Sequence, residues 1–186
     1  MTDGSRSLMQ RIRVPLGFLF SGAFLWLAPH YATPGKIAVG GSIAFIGVLT
    51  RAWATGHIVK NEVLTTTGPY AHTRNPLYLG SFLLALGFAI ATHLAAVVAV
   101  VAFWLFVYTP TITREQDFLR GHYGAAFTEF ERNVPAFLPR LRAWGGPAGA
   151  DRIAGFSVAR YLRHNEWQAG LGFLFVLAWL LFNAWR

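Results

Sequence analysis

The chain contains no cysteine, which excludes disulfides, thiolate nucleophiles and cysteine-ligated metals. Charge is scarce as well. Only 13% of the 186 residues are Asp, Glu, Lys or Arg, about half the 25% common in soluble domains. Acidic residues are the scarcer sign, 8 against 16 basic ones. Disorder requires low hydrophobicity, and a chain that is 54% apolar with a mean hydropathy of +0.42 does not have it. There is no glycine-rich phosphate loop; the nearest approach, Gly170-Leu171-Gly172, lies in an apolar run, where small residues are expected to permit close helix contact. The six histidines show no paired metal-ligand spacing, and no elbow-like serine accompanies Asp3, Asp117 or Asp151. No metal site and no hydrolase triad is therefore expected. What the chain does have is aromatic bulk, with 7 Trp, 6 Tyr and 16 Phe.

The missing charges are missing in places. Between Arg74 and Arg114 lie 39 residues without one Asp, Glu, Lys or Arg. A bilayer span takes about 20 apolar residues, so this stretch reads as two spans joined by a tight turn at Thr92-His93. Three further runs have the right length: 14–31, 37–55 with Arg51 near its end, and 167–185, bracketed by tryptophans suited to the membrane interface. The fold expected is an all-α integral membrane protein with about five spans (14–31, 37–55, 76–92, 94–112, 167–185) in a single domain. The first run also follows Arg6, Arg11 and Arg13 as a secretory leader would, but His30 makes a poor cleavage site before Ala32.

Placing the N-terminus in the cytoplasm puts 14 Lys and Arg inside and 2 (Lys36 and Arg186) outside. That asymmetry is the positive-inside pattern, and it places the C-terminus on the opposite side. The net charge of +8 then reports topology and attraction to anionic headgroups; no compact basic stripe suggests nucleic acid.

Two cytoplasmic stretches, about 56–75 and 114–166, are too long to be mere connectors, and 56–75 with 113–140 make up the expected cofactor region. In the second, Phe118, Tyr123, Phe127, Phe130 and Val134 recur near helical spacing and predict an amphipathic helix that lies on the membrane or caps the bundle. Pro135 and Pro139 end it. Residues 143–150 read as a flexible joint, and Arg152 to Arg163 as a short interfacial helix before the last span.

One segment carries chemistry: Gly68-Pro69-Tyr70, then Arg74-Asn75-Pro76-Leu77-Tyr78-Leu79-Gly80 at the start of the third span. Gly68-Pro69 makes a turn, and Pro76 suits the first helical turn, where its missing N–H costs nothing. The free N–H groups at that helix start favour an anionic group. Tyr70 and Tyr78 offer flat faces for a purine or a cation.

After the charge-free hairpin come Glu115-Gln116-Asp117-Phe118-Leu119, Tyr123-Gly124 and Val134-Pro135-Ala136-Phe137-Leu138-Pro139. In order and spacing, residues 55–140 resemble the isoprenylcysteine carboxyl methyltransferase family and its bacterial phospholipid-methyltransferase-like relatives. That resemblance implies an S-adenosylmethionine-dependent methyltransferase acting on a lipid-like carboxylate or amine. It places cofactor contacts on Tyr70, Asn75, Pro76, Leu77, Tyr78 and Glu115, on the strip Glu62, Val63, Leu64 and Thr65, and on Thr55. Arg74 and Arg114 are the candidates for acceptor binding. A carboxylate at position 115 is expected to be buried and to need a cationic or hydroxylated ligand.

The family pattern is not kept throughout. Asn75 replaces a histidine, Gln116 replaces a second glutamate, and Thr111 stands where eukaryotic members place an arginine for the substrate. Methyl transfer from a sulfonium asks for alignment and dryness more than for side-chain chemistry. A lipid amine would first have to lose a proton, and His57, His72, Glu62 and Glu166 are the candidate helpers. Two other functions fit the architecture. One is an NADPH-dependent membrane reductase, which would need further basic residues for the 2′-phosphate; the other is a non-catalytic membrane protein that keeps the fold.

Overall fold

The computed structural model describes residues 17, 19, 22–59, 63–146 and 155–185. Every regular element among them is helical. In chain order these are α1 (Pro34–His57), α2 (Pro76–Ile90), α3 (Leu94–Tyr123), α4 (Ala125–Asn133), α5 (Val158–Arg163) and α6 (Trp167–Ala184). Residues 22–27 are also helical and run into a 3-10 turn at Ala28–His30. Three helices, α1, α3 and α6, are long and apolar enough to cross a membrane; α2 is apolar but shorter, at 15 residues. The segment expected to hold the first span is described only in part.

The bundle centres on α1. Its small residues face α2 and let the two backbones approach closely in antiparallel fashion. A Cβ added to Gly40 would sit 2.2 Å from the Gly87 carbonyl oxygen, and one added to Gly47 would sit 2.6 Å from that of Gly80. With Ala44 and Ala91 fully buried beside them, these residues make a seam of the small-xxx-small kind. The seam lies there and not at Gly170 and Gly172, where an added Cβ would meet nothing within 4 Å. Those two glycines were expected to mark close helix contact. In fact α6 packs through large side chains, Phe173 and Leu180 meeting Ile37, Ala44, Phe88 and Ala91.

Thr92 and His93 reverse the chain between α2 and α3. His93 caps α3 by accepting from the Ala95 N–H, and the ammonium of Lys36 donates to the Thr92 carbonyl, holding that end of the hairpin to α1. Within α3 the turn Trp104–Tyr108 widens to a π-helix. Pro110 follows directly; it has no N–H to give, and its ring would collide with the carbonyl of residue 106 in a regular helix.

The helix does not stop at the apolar limit near residue 112. It runs on to Tyr123 and breaks at Gly124, whose φ of +54° is a left-handed value suited to glycine. Beyond the break, α4 turns its aromatic face inward. Phe127 and Phe130 are 1% and 2% exposed and pack with Ala54, Tyr70 and Val134. Of the two placements the amphipathic pattern allowed, α4 takes the one that caps the bundle.

Candidate functional site

The cap and the hairpin meet around a cavity of about 490 Å³, within the usual size range of small-molecule sites. Its walls come from three places: the strip that leaves α1 (Ile58, Val59, Val63, Leu64, Thr65), the turn and start of α2 (Tyr70, Arg74 to Tyr78), and the polar half of α3 with α4 (Glu115, Gln116, Phe118, Leu119, His122, Tyr123, Phe127, Phe130).

The Gly68–Ala71 turn is 3-10, and Gly68 at φ +58° lies against the imidazole of His57, only 2.5 Å from where a Cβ would stand. His57 in turn uses Nδ1 on the Trp53 carbonyl. This stack seats Tyr70, which is buried. Burial pushes the Tyr70 phenol well above its usual pKa, with Glu115 and then Glu166 adding to the effect. The hydroxyl therefore stays protonated and remains a donor.

The stretch 71–75 is held by the proline-rich tail. Arg74 N–H donates to the Pro135 carbonyl, Arg140 N–H to that of His72, and Trp144 N–H to that of Ala71, all at 2.9 Å. Side chains reinforce the pairing: Asn75 Nδ2 donates to the Ala136 carbonyl at 2.8 Å and Thr73 Oγ1 to that of Phe137 at 3.0 Å. Phe137 itself lodges against Phe82 and Trp104 of the hairpin. Two sequence motifs some sixty residues apart are thus one structural unit, with Asn75 serving as a strut between them.

Across the cavity, Tyr78 Oη donates to Glu115 Oε2 at 2.9 Å. Tyr108, on the π turn, stacks on Trp104 with ring centroids 4.1 Å apart and meets Tyr78 edge-on at 5.8 Å. Glu115 was expected to be buried. It is exposed at the rim and held by Tyr78, because α3 carries it past the end of the packed hairpin.

Of the site residues expected from sequence, Val63, Leu64, Thr65, Tyr70, Arg74, Asn75, Pro76, Leu77, Tyr78 and Glu115 line the cavity together. Thr55 does not; it is buried in α1, with its hydroxyl bonded back to the Arg51 carbonyl at 2.8 Å. Arg114 is exposed and is not among the lining residues, since it falls on a different side of α3 from Glu115. Glu62 lies outside the described residues. Arg74 lines the wall, but its Nη1 is engaged by Glu131 at 2.6 Å. Hydrogen bonding from Arg74, then from Arg120, holds the Glu131 carboxyl below the usual range against the opposing effect of burial.

Gln116, Leu119, His122 and Phe127 were not named as site residues by the sequence. Two signals were available: helical spacing, which puts 115, 116, 119 and 122 on one face of a continuous helix, and the motif after the hairpin, which contains Gln116 and Leu119. Among the described residues no group of three or more His, Asp or Glu is arranged to hold a metal.

Among the described residues three buried side-chain atoms have no hydrogen-bond partner: Tyr70 Oη, Arg74 Nε and Gln116 Nε2. All three belong to residues that line this one cavity. Unpartnered buried donors are rare in folded proteins, and here three fall on residues around one space.

The arrangement defines a class, a helical membrane protein with a cavity built where a two-helix hairpin meets a helical cap. Residues 35–126 match the family model described as phospholipid methyltransferase. Over 148 residues the chain is 36% identical to the cobalt-zinc-cadmium resistance protein CzcN of Cupriavidus metallidurans, covering 78% of this chain and 66% of that one. It is 31% identical over 118 residues to the nickel-cobalt-cadmium resistance protein NccN of Alcaligenes xylosoxydans xylosoxydans (62% and 53%). It is 26% identical over 120 residues to the protein-S-isoprenylcysteine O-methyltransferase of Schizosaccharomyces pombe (63% and 48%). The chain thus spans about half to two thirds of the length of these relatives. No solved structure matches it. The chain belongs to the phospholipid-methyltransferase-like family that includes the isoprenylcysteine carboxyl methyltransferases.

Proposed function

We propose that this protein is an integral-membrane methyltransferase that uses S-adenosylmethionine as donor and a hydrophobic, lipid-like molecule as acceptor, with the cavity end of the bundle at the cytoplasmic face. The observation that carries the reading is the donor set of the cavity. Tyr70 Oη, Arg74 Nε and Gln116 Nε2 lack partners among the described residues, and the exposed Glu115 carboxylate, held by Tyr78, lines the same cavity. An amino-acid zwitterion joined to a nucleoside suits such a set. Its carboxylate and ring acceptors would suit the unpartnered donors, and Glu115 with the ring of Tyr78 would suit its amino group, sulfonium and ribose hydroxyls.

When bound, S-adenosylmethionine supplies an electrophilic methyl group, so the reaction is a displacement at carbon that chiefly needs alignment. The apolar walls of Leu77, Leu119, Phe127 and Phe130 keep water away from the reacting end. Tyr78 fixes the orientation of the carboxylate, and Tyr70, kept protonated, donates. The nicotinamide alternative fits less well, because a 2′-phosphate calls for further basic residues and Arg74 is the one Arg or Lys among the described residues that line the cavity.

The test is calorimetric titration of the detergent-solubilised protein with S-adenosylmethionine. Micromolar binding, about −8 kcal/mol, is expected, weakened at least tenfold by Glu115→Ala or Tyr78→Ala. Equal binding by all three proteins would show that the donor site lies elsewhere.

A further inference from the structure

The segment that follows α4 leaves two leucines in the open. Leu138 is 76% exposed and Leu141 98%, with Arg140 and Arg142 on either side of the second. The chain next to Leu138 is seated deep against the hairpin. Phe137 packs on Phe82 and Trp104, with ring centroids 5.7 and 6.1 Å away. Phe82 lies six residues beyond Pro76, about 9 Å along α2, and Trp104 lies eight residues short of the apolar limit near 112, about 12 Å along α3. Directly after Trp104 come the exposed side chains of Leu105 and Phe106, on a helix apolar enough to cross a membrane. Phe137 thus reaches the depth of apolar residues that α3 turns outward.

Irregular backbone is tolerated at such a depth only where its polar groups are taken within the protein. Pro135 and Pro139 have no N–H to satisfy. The Pro135, Ala136 and Phe137 carbonyls accept from Arg74 N–H, Asn75 Nδ2 and Thr73 Oγ1. Arg140 N–H donates to the His72 carbonyl, and the Arg140 carbonyl pairs with His72 Nδ1 at 2.8 Å. His72 lies four residues before α2 begins, so by Arg140 the chain has climbed from the level of Phe82 to the mouth of the bundle. There Arg140 Nη1 donates to the Asn133 carbonyl at the end of α4, at 2.6 Å.

We propose that the turn 137–142 is a lipid-docking surface. Leu138 seats among the acyl chains of the protein's own membrane, Leu141 at their boundary with the headgroups, and Arg142 on the phosphate of an anionic headgroup. The backbone of the turn is tied inward to residues 72–75, which leaves its apolar side chains to face outward. An arginine suits the place beside them, because its stem lies along apolar surface while its guanidinium takes phosphate oxygens in pairs. A membrane surface that carries anionic lipid attracts it further. The docking needs the membrane and not the contents of the cavity, so it stands apart from the donor reading.

The experiment uses the lack of native cysteine, which makes a single label unambiguous. Leu138→Cys and Leu141→Cys, each carrying bimane, are reconstituted as full chains in vesicles of mixed phosphatidylcholine and phosphatidylglycerol. Gly121→Cys, on the polar end of α3 with nothing within 4 Å, supplies the comparison in water. Phosphatidylcholine spin-labelled near the headgroup end of its chain should quench both leucine-site labels at least twofold more than the label at 121. Aqueous iodide should quench them at least twofold less. Spin-labelled phosphatidylglycerol should quench the label at 141 more than the choline lipid does, and Arg142→Gln should reduce that preference. Iodide quenching at 138 and 141 as strong as at 121 overturns the proposal. Shielding from both quenchers overturns it too, since protein would then cover the turn. Equal quenching by the two lipids, or a preference that Arg142→Gln leaves intact, overturns the headgroup contact. If one leucine variant does not insert, the other decides.

Discussion

Tyr78 and Glu115 are 37 residues apart in the chain and 2.9 Å apart in space, the phenol of α2 donating to the carboxylate of α3 across the mouth of the cavity. A hydrogen bond to a charged group contributes about 1.5–3 kcal/mol. Tyr78→Phe keeps the ring and removes only that bond. It is expected to lower S-adenosylmethionine affinity by about tenfold, the equivalent of about 1.4 kcal/mol, with little change in thermal unfolding. Calorimetry beside a melting curve separates the two effects; full affinity in the variant would mean that Glu115 needs no orienting partner.

The π turn sets which way Glu115 faces. One extra residue in the helix rotates everything after it by about 100°, and Glu115 comes after it. Pro110→Ala removes the cause of the widening. The variant is expected to be as stable as the parent or more so, yet to bind the donor several-fold more weakly, because Tyr108 and Glu115 leave their places beside Tyr78. Unchanged binding would show that the turn is incidental to the site.

The glycine seam between α1 and α2 offers no room. Gly47→Leu must separate the helices or fail, at a cost of about 1–3 kcal/mol or more, read as a lower unfolding temperature in detergent. Gly170→Ala, placed where nothing lies within 4 Å, should stay within about 0.5 kcal/mol of the parent. Equal effects would place the close contact wrongly.

The Glu131 carboxyl is held below its ordinary range by Arg74 and Arg120. Its contribution to stability is therefore complete above the unfolded-state value near 4.5 and is lost as pH falls through the lower folded value. Wild type and Glu131→Gln should differ in unfolding temperature at pH 7, and the gap should narrow as the solution is acidified below about pH 4. A gap that persists in strong acid would assign the difference to packing.

Orientation has its own check. A reporter fused after residue 186 is expected outside the cytoplasm, and a cytoplasmic signal would reverse the assignment made from the basic residues.

Much of this was legible in the sequence because two kinds of signal are local. Runs without charge mark lipid-facing helices whatever they pack against, and Gly68-Pro69-Tyr70 with Arg74 to Gly80 marks a turn entering a helix. The same signals misplace what depends on partners. Gly170 and Gly172 look like the contact glycines, but only the facing helix decides, and α1 meets α2 through Gly40 and Gly47. Glu115 looks buried from its neighbours and is not, since α3 outruns the bundle. Thr55 and Arg114 sit near site residues in the chain while helical rotation turns them elsewhere. The pairing of Arg51 with Glu166 has no local signature, because 115 residues separate the partners.

The clasp between residues 71–75 and 135–144 also bears on when the site comes into being. A ribosome delivers the chain from the N-terminus at about 5–20 residues per second, so the hairpin enters the bilayer while the segment that braces its first turn is still unmade. Arg74 finds the Pro135 carbonyl, and Ala71 the Trp144 amide, only after the whole cap has emerged. A chain interrupted in the cap would settle in the membrane with its hairpin paired and its cavity left without one wall.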